Sequence, residues 1–259
     1  MLIPIFIVNA FTNQLGKGNP AAVCALDTWL PAETLQSIAA ENNLSETAFF
    51  VKNERGYDLR WFTPSVEVDL CGHATLATAF VLFEKLKFKE EKIKFFTRSG
   101  SLEVIRQDNL FFLNFPSYCG EDVTCPSYLR EGLGLAPISV IKGPNYLARY
   151  SSEVEVAAIR PNMDVLKLLH PRGVIVTAPS SNSDFVSRYF APSFGVPEDP
   201  VTGSAHCMLT PYWSTELNKK QLKAEQISSR GGTLVCECDG SRVKIGGEAV
   251  LYLVGNILV

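Results

Sequence analysis

The feature that most constrains the fold of this chain is a motif that occurs twice, about half of the sequence apart. Residues 60–64 read Arg-Trp-Phe-Thr-Pro, and residues 188–192 read Arg-Tyr-Phe-Ala-Pro. In both copies an acidic pair follows, and then a turn of small residues that contains Gly72 or Gly203. A patterned run that recurs with similar spacing is typical of an internal repeat. We therefore predict that the chain folds into two homologous lobes.

The length and the apolar pattern agree with two lobes, which we assign to residues 1–118 and 119–259. The chain has 259 residues, more than the most common domain size, and 46% of them are hydrophobic. Alternating apolar residues predict many short strands, and helical spacing predicts one strong helix per lobe, at residues 75–86 and 205–213. This combination predicts an α+β fold in which a barrel-like sheet closes around a central helix in each lobe.

The charge distribution argues against nucleic acid and membrane partners. The net charge is −3, and the densest basic patch, residues 85–94, mixes lysine with glutamate. Nucleic-acid binders instead concentrate basic residues on one face. No apolar segment is long enough to cross a bilayer, and the apolar residues 1–11 lack the basic start of a signal peptide. We expect a cytoplasmic enzyme.

The seven cysteines predict reduced thiols, because their number is odd and no signal peptide directs the chain to an oxidising compartment. Cys236 and Cys238 are separated by one residue in a strand-like run, which places both thiols on one face of a strand. No second Cys or His pair lies at zinc-finger distance. The sequence also lacks a phosphate-binding glycine loop and a dinucleotide fingerprint. We predict no metal and no cofactor.

The two small-residue turns predict an anion site. Gly72-His73 and Gly203-Ser204 each precede a predicted helix, and the first backbone N–H groups of a helix lack partners inside it. Together with the helix dipole, these N–H groups bind carboxylate or phosphate. If a pseudo-two-fold axis relates the lobes, we expect Gly72 and Gly203 to face one cleft that holds a small anionic molecule. An ordinary helix start explains either turn taken alone.

Four polar residues near these turns are candidates for catalysis. Glu46 opens an apolar, strand-like run after the predicted helix at residues 33–42, where partial loss of water suits a group that takes up and releases a proton. A capping box or a solvated strand start is the alternative for Glu46. His73 can be a neutral proton donor or a structural histidine. Asp199 can orient a substrate amine or His73, and Ser204 can relay a proton or cap its helix.

At these positions the sequence resembles the PhzF-like (phenazine-biosynthesis F-like) family, and in particular its phenazine-biosynthesis-like domain proteins, also called MAWD-binding proteins. The resemblance covers nearly the whole chain in order. It implies the diaminopimelate epimerase fold, with two similar lobes and a site between them, which agrees with the internal repeat. The blocks that carry it are residues 18–23 (Gly-Asn-Pro-Ala-Ala-Val), 45–49 (Ser-Glu-Thr-Ala-Phe), 60–64, 71–75 (Cys-Gly-His-Ala-Thr), 198–206 (Glu-Asp-Pro-Val-Thr-Gly-Ser-Ala-His) and 211–213 (Pro-Tyr-Trp).

The resemblance implies a role for each candidate residue. Glu46 matches the catalytic acid/base of the family. The polar residues that surround it are matched by His73, Asp199 and Ser204, and the turns whose amides hold the substrate carboxylate are matched by Gly72 and Gly203.

Two further positions decide which reaction of this fold is expected. In the epimerases that share the fold, two cysteines face each other as acid and base. Cys71 matches the first of these positions, but Thr202 matches the second. A threonine hydroxyl is far too weak an acid to replace a thiol. We therefore expect Cys71 and Thr202 to contact the substrate and do not expect two-base amino-acid racemisation.

The resemblance and the candidate residues predict a cofactor-independent isomerase that shifts a proton on a small carboxylate-containing metabolite, with Glu46 as acid/base. The resemblance also points to a homodimer and leaves a protein partner open. The alternative is a non-catalytic binding protein that kept the fold, because a fold does not determine chemistry.

Overall fold

The computed structural model describes residues 1–259, which form two compact units. The first unit contains residues 1–114 and 246–259, and the second contains residues 115–245. The structure therefore differs from the predicted division into 1–118 and 119–259, because the last strand of the chain belongs to the first unit.

The chain contains eighteen strands and six α-helices. From the N-terminus to residue 116 these are β1 Leu2–Ala10, β2 Asn19–Leu26, α1 Ala32–Asn42, β3 Glu46–Asn53, β4 Gly56–Phe62, β5 Glu67–Val68, α2 Gly72–Phe80, β6 Lys92–Thr97, β7 Gly100–Gln107 and β8 Leu110–Pro116. The remaining elements are β9 Glu121–Val123, α3 Ser127–Leu133, β10 Ser139–Lys142, β11 Tyr146–Arg149, α4 Glu153–Ala158, α5 Met163–Leu166, β12 Val174–Pro179, β13 Phe185–Ala191, β14 Val196–Asp199, α6 His206–Glu216, β15 Gln221–Gln226, β16 Gly232–Asp239, β17 Arg242–Gly247 and β18 Ala249–Leu258.

In the first unit the strands pair in the order β18, β1, β2, β3, β4, β6, β7, β8. The β2–β3 and β4–β6 pairs are parallel, and the others are antiparallel. Parallel neighbours need a crossover connection, and α1 and α2 lie in these two connections.

The second unit repeats this order of pairing. Its strands pair in the order β9, β10, β11, β12, β13, β15, β16. The third and the fifth pair, β11–β12 and β13–β15, are parallel, as are the third and the fifth pair of the first unit. The short helices α4 and α5 lie in the first parallel connection, and α6 lies in the second. Strand β18 lies beside β1 as β9 lies beside β10. The repeated order confirms the internal duplication that the sequence motif predicts.

The duplicated motif makes the same contacts in both units. Arg60 donates from Nε and Nη2 to the two carboxylate oxygens of Glu67, at 2.7 and 2.8 Å. Arg188 donates from the same atoms to Glu198, at 2.7 and 3.0 Å. Each guanidinium also lies over the ring of the phenylalanine two residues later, with centroid distances of 5.1 and 4.9 Å. Bidentate pairing fixes the arginine geometry, which explains why arginine, phenylalanine and a following glutamate occur in both copies.

One well-buried helix lies on the sheet of each unit. All side chains of α2 from His73 to Ala79 are buried, and α2 packs against β1, β2, β3 and β18. A helix that is buried all round must be enclosed by other elements, which agrees with the predicted central helix. It begins at Gly72, in the small-residue turn where the sequence predicts the helix start, and continues as a π-helical turn, Val81–Lys85.

The corresponding helix of the second unit is α6, which packs against β15 and β16. It continues through Pro211 to Glu216, past the predicted end at residue 213. Trp213 is fully buried, stacks on Phe185 and donates from Nε1 to the Thr177 hydroxyl at 2.9 Å. Neither this helix nor any other is both long enough and apolar enough to span a bilayer.

Candidate active site

Glu46 lies in the first unit, at the N-terminal end of two parallel strands. In the β2–β3 pair, Ala21 is opposite Glu46, so the N-terminal ends of both strands lie together. Glu46 is the first residue of β3, and only 16% of its side chain is exposed. No helix follows it, and the carboxylate is largely buried. The structure therefore favours neither the capping box nor the solvated strand start that the sequence left open.

The first turn of α2 brings two more candidates to this carboxylate. Cys71 is the extended residue before the helix, and His73 is its second residue. Nε2 of His73 lies 3.1 Å from Oε2 of Glu46. The two atoms are close, but neither has a well-aligned hydrogen bond, although both are buried. Nδ1 of the same ring lies 3.5 Å from Sγ of Cys71. The imidazole thus contacts both a carboxylate and a thiol.

Burial controls the charge of the thiol in this cluster. Burial, assisted by the negative charge of Glu46, raises the pKa of Cys71 to about 11. The group is therefore a thiol at neutral pH, and it lacks the thiolate character that a nucleophile requires.

The charge of His73 depends on its neighbours. Burial alone lowers the pKa of His73, but the negative charges of Cys71 and Glu46 together raise that pKa well above its ordinary value. The Cys71 charge is absent at neutral pH because the thiol is protonated. Of the two negative charges that raise the pKa of His73, only that of Glu46 is then present.

One ligand-type atom from each of Glu46, Cys71 and His73 lies within 4.8 Å of the others, a separation at which such atoms can share a metal ion. However, the sulfur faces one ring nitrogen and the carboxylate faces the other. A metal ion binds one imidazole nitrogen, whereas these two groups contact different ones, so the contacts suit proton exchange with the ring.

The second unit holds the other candidates on one loop, residues 199–204. The Thr202 hydroxyl donates to Oδ2 of Asp199 at 2.5 Å. Gly203 is buried in the turn before α6, whereas Ser204 is exposed. The residue that caps α6 is Ala205, and no side chain caps it. Ser204 therefore does not act as the helix cap that the sequence left open.

Gln226 holds this loop, and sequence reasoning missed it. Its side-chain oxygen accepts from the Thr202 backbone N–H at 2.8 Å, and its nitrogen donates to the Asp199 carbonyl at 2.7 Å. Gln226 is the last residue of β15, where Leu222 and Ala224 point to the same buried face. The signal in the sequence is a glutamine that occupies a core position of an alternating strand.

His206 anchors the same loop from the first turn of α6. Burial lowers the pKa of His206 to about 4, so the ring is neutral at physiological pH. Its Nδ1 lies 2.8 Å from the Thr202 carbonyl, to which the neutral ring can donate. Thr202 is therefore held through its amide, its carbonyl and its hydroxyl, which makes the loop well defined.

The predicted site residues thus form one cluster in each unit. Glu46, Cys71, Gly72 and His73 lie together in the first unit, at the start of α2. Asp199, Thr202, Gly203 and Ser204 lie on the loop before α6 in the second.

Comparison with known proteins identifies the family. A sequence model described as "Phenazine biosynthesis-like protein" matches residues 8–255. The chain belongs to the PhzF family. It is 52% identical to an uncharacterized isomerase of Pseudomonas aeruginosa over 257 residues, which cover 99% of both chains. It is also 40% identical to the human phenazine biosynthesis-like domain-containing protein, again over 99% of both chains. The family predicted from the sequence is confirmed, and this PhzF-family chain is an isomerase.

Solved structures agree with the fold of this PhzF-family chain. A PhzF-family protein of Enterococcus faecalis is 46% identical and superposes over 100% of both chains with a TM-score of 0.98. A hydroxyproline epimerase of Agrobacterium vitis is only 11% identical but matches 99% of this chain with a TM-score of 0.65. That second likeness concerns the fold alone. The predicted α+β, diaminopimelate epimerase-like fold class is confirmed.

Proposed function

We propose that this chain shifts a proton on a small carboxylate-containing substrate without a cofactor, and that Glu46 is the general acid/base. The observation that supports this proposal is the cluster around Glu46. A largely buried carboxylate lies 3.1 Å from a buried imidazole at the start of a helix, and a protonated thiol lies 3.5 Å from the other ring nitrogen. Such a group can gain and lose a proton with little rearrangement.

The reaction that suits this cluster has two proton transfers. The Glu46 carboxylate takes a proton from a carbon beside an unsaturated or carbonyl system, and the electron pair of the broken C–H bond delocalises into that system. The Glu46 carboxylic acid then returns the proton to a different carbon, so the product is an isomer of the substrate. No electron or group is lost, and no co-reactant is needed.

Negative charge develops on the substrate between these two steps and needs hydrogen-bond donors. The first amides of α2, from Gly72 and His73, have no intrahelical partner, as at every helix start, and they lie beside the candidate base. The helix dipole adds partial positive charge at this end. These amides are suited both to a substrate carboxylate and to the developing charge.

We assign supporting roles to the loop of the second unit. The exposed hydroxyl of Ser204 and the turn at Gly203 offer donors to a ligand, and Asp199 offers an acceptor for a substrate amine or hydroxyl. Two-base racemisation is disfavoured, because Cys71 is protonated and the Thr202 alcohol donates to Asp199.

A screen of small carboxylates in deuterated water tests this function. The wild-type chain should incorporate deuterium into at least one bound carboxylate, detected by mass spectrometry, and should convert it into an isomer. The control is the same mixture with heat-denatured protein. Carboxylates that stabilise the chain in thermal melts but never exchange a proton would support the non-catalytic binding protein instead.

A further inference from the structure

We propose that Asn19, held by Ser45, is a positioning residue that keeps the proton of His73 on Nε2, the ring nitrogen that lies 3.1 Å from Oε2 of Glu46. The inference rests on the proposed role of Glu46 as the base. It concerns how the ring beside the base is prepared before any substrate binds.

The contacts that carry this inference start from a fully buried amide. Asn19 is the first residue of β2, and its side chain is 0% exposed. Its Nδ2 lies 3.3 Å from Nδ1 of His73. The hydroxyl of Ser45, the residue before Glu46, donates to Oδ1 of Asn19 at 3.3 Å. A chain of polar contacts therefore runs from Ser45 through Asn19 to the ring.

The chemistry of the amide assigns the proton. An amide nitrogen can only donate, and an amide oxygen can only accept. In the structure the Asn19 oxygen faces the Ser45 hydroxyl, which can donate to it, and the Asn19 nitrogen faces His73. Nδ1 of His73 must then accept, which leaves the single proton of a neutral imidazole on Nε2. That nitrogen is the one 3.1 Å from the Glu46 carboxylate.

The other groups that face the ring act in the same direction. The Cys71 thiol, at the start of α2, lies 3.5 Å from Nδ1 and can donate its S–H there while it is protonated. A cationic His73 would need an acceptor at Nδ1, where the structure provides the Asn19 N–H donor and, in the thiol, only a weak acceptor. These contacts oppose the Glu46 charge, which raises the pKa of His73. Glu46, from β3, faces Nε2 and gains from an N–H there. The N–H of a neutral ring thus faces the carboxylate of the proposed base.

Nitrogen NMR of ¹⁵N-histidine-labelled full-length chain tests the assignment without any substrate. The chain has only three histidines, so His73→Gln identifies the His73 signals. At neutral pH we expect His73 to show a protonated Nε2 and an unprotonated Nδ1. A protonated Nδ1 in the wild type, as the other neutral form or as the cation, would overturn the proposal.

Variants of Asn19 separate positioning from packing. Asn19→Asp keeps the shape but places an acceptor at Nδ1, so the unprotonated Nδ1 signal should disappear and the cation should form. The matched control is Asn42→Asp, since Asn42 bonds the nearby Thr47 and not the ring. Ser45→Ala serves if Asn19→Asp does not fold, because the freed amide can turn over and His73 should show both neutral forms. His73 signals unchanged by Asn19→Asp, or by Ser45→Ala, would contradict the proposal.

The outcome can be distinguished from failure of the proposed function. The NMR measurement reports the proton position in the resting chain, whether or not Glu46 later acts as a base. Proton exchange that survives loss of the Glu46 carboxylate would refute the base and leave the His73 assignment standing.

Discussion

At the residue scale, Cys71 lies where a thiolate is poorly stabilised. Burial and the Glu46 carboxylate both raise its pKa, to about 11, and the helix start beside it does not compensate. A thiolate is the reactive form of cysteine, and its fraction at pH 7 is then on the order of one part in ten thousand. The cysteine is thus a proton donor to its surroundings and not a nucleophile.

Alkylation with iodoacetamide checks this charge state. At pH 7 we expect Cys119, which is exposed, to react while Cys71 stays unmodified in the folded chain. The Cys71 rate should rise about tenfold per pH unit until the pH approaches about 11, because the thiolate fraction rises in that proportion. Peptide mass spectrometry measures both rates.

The control for this prediction changes the charge and keeps the shape. Glu46→Gln removes the negative charge that raises the pKa of Cys71, so this pKa should fall and labelling at a given pH should become faster. Equal Cys71 rates in the wild type and in Glu46→Gln, or fast labelling at pH 7, would show that the charge assignment is wrong.

At the scale of elements, a side chain at the end of β15 stabilises the loop at residues 199–204, although it lies outside that loop. Gln226 at the end of β15 replaces water for the Thr202 amide and the Asp199 carbonyl. Buried backbone groups need partners, and each one left without a partner costs about 1–3 kcal/mol. The loop geometry therefore depends on one glutamine.

Gln226→Leu should lower the free energy of unfolding by about 2–4 kcal/mol, because two buried backbone groups lose their partner. Urea denaturation measures this change. The matched control is Gln221→Leu on the same strand, whose exposed side chain should change stability by less than about 0.5 kcal/mol. Similar losses in both variants would mean that Gln226 does not support the loop.

The elements also show what sequence reasoning can reach. Period-two alternation and the repeated motif were enough to predict strands around one helix in each lobe, because burial imposes both patterns on the chain. The start of α2 at Gly72 was predicted from its small-residue turn. The roles of Gln226 and Asn19 escaped notice because their partners lie far away in sequence, and only the folded chain defines those contacts.

At the scale of the whole molecule, the duplication extends from the motif to the order of strand pairing. The observed units differ from the predicted division by four residues at the first boundary and, more substantially, at the C-terminal end, where β18 pairs with β1 in the first unit. Hydrophobic alternation identifies a strand, but it does not say which neighbour the strand pairs with. That choice depends on tertiary packing, which lies beyond the local pattern.

Removal of residues 246–259 should therefore destabilise the first unit, although these residues follow the second in sequence. Amides of β1 should lose protection from hydrogen exchange, because β18 is one of the two strands paired with β1. Amides of the β15–β16 pair provide the internal control and should keep more of their protection. Greater loss in β15–β16 than in β1 would contradict the observed division.

Deuterium uptake by Glu46→Gln tests the central claim most directly. The amide keeps the shape of the carboxylate but cannot accept the substrate proton, and general acid/base groups contribute about 10²–10⁴-fold. The matched control is Glu103→Gln, which removes a partly exposed carboxylate paired with Lys92. With a carboxylate that the wild type exchanges, we predict a loss of at least about 10²-fold in Glu46→Gln, an unchanged rate in Glu103→Gln and folded protein in both. Uptake by Glu46→Gln at the wild-type rate would contradict the assignment of Glu46 as the acid/base.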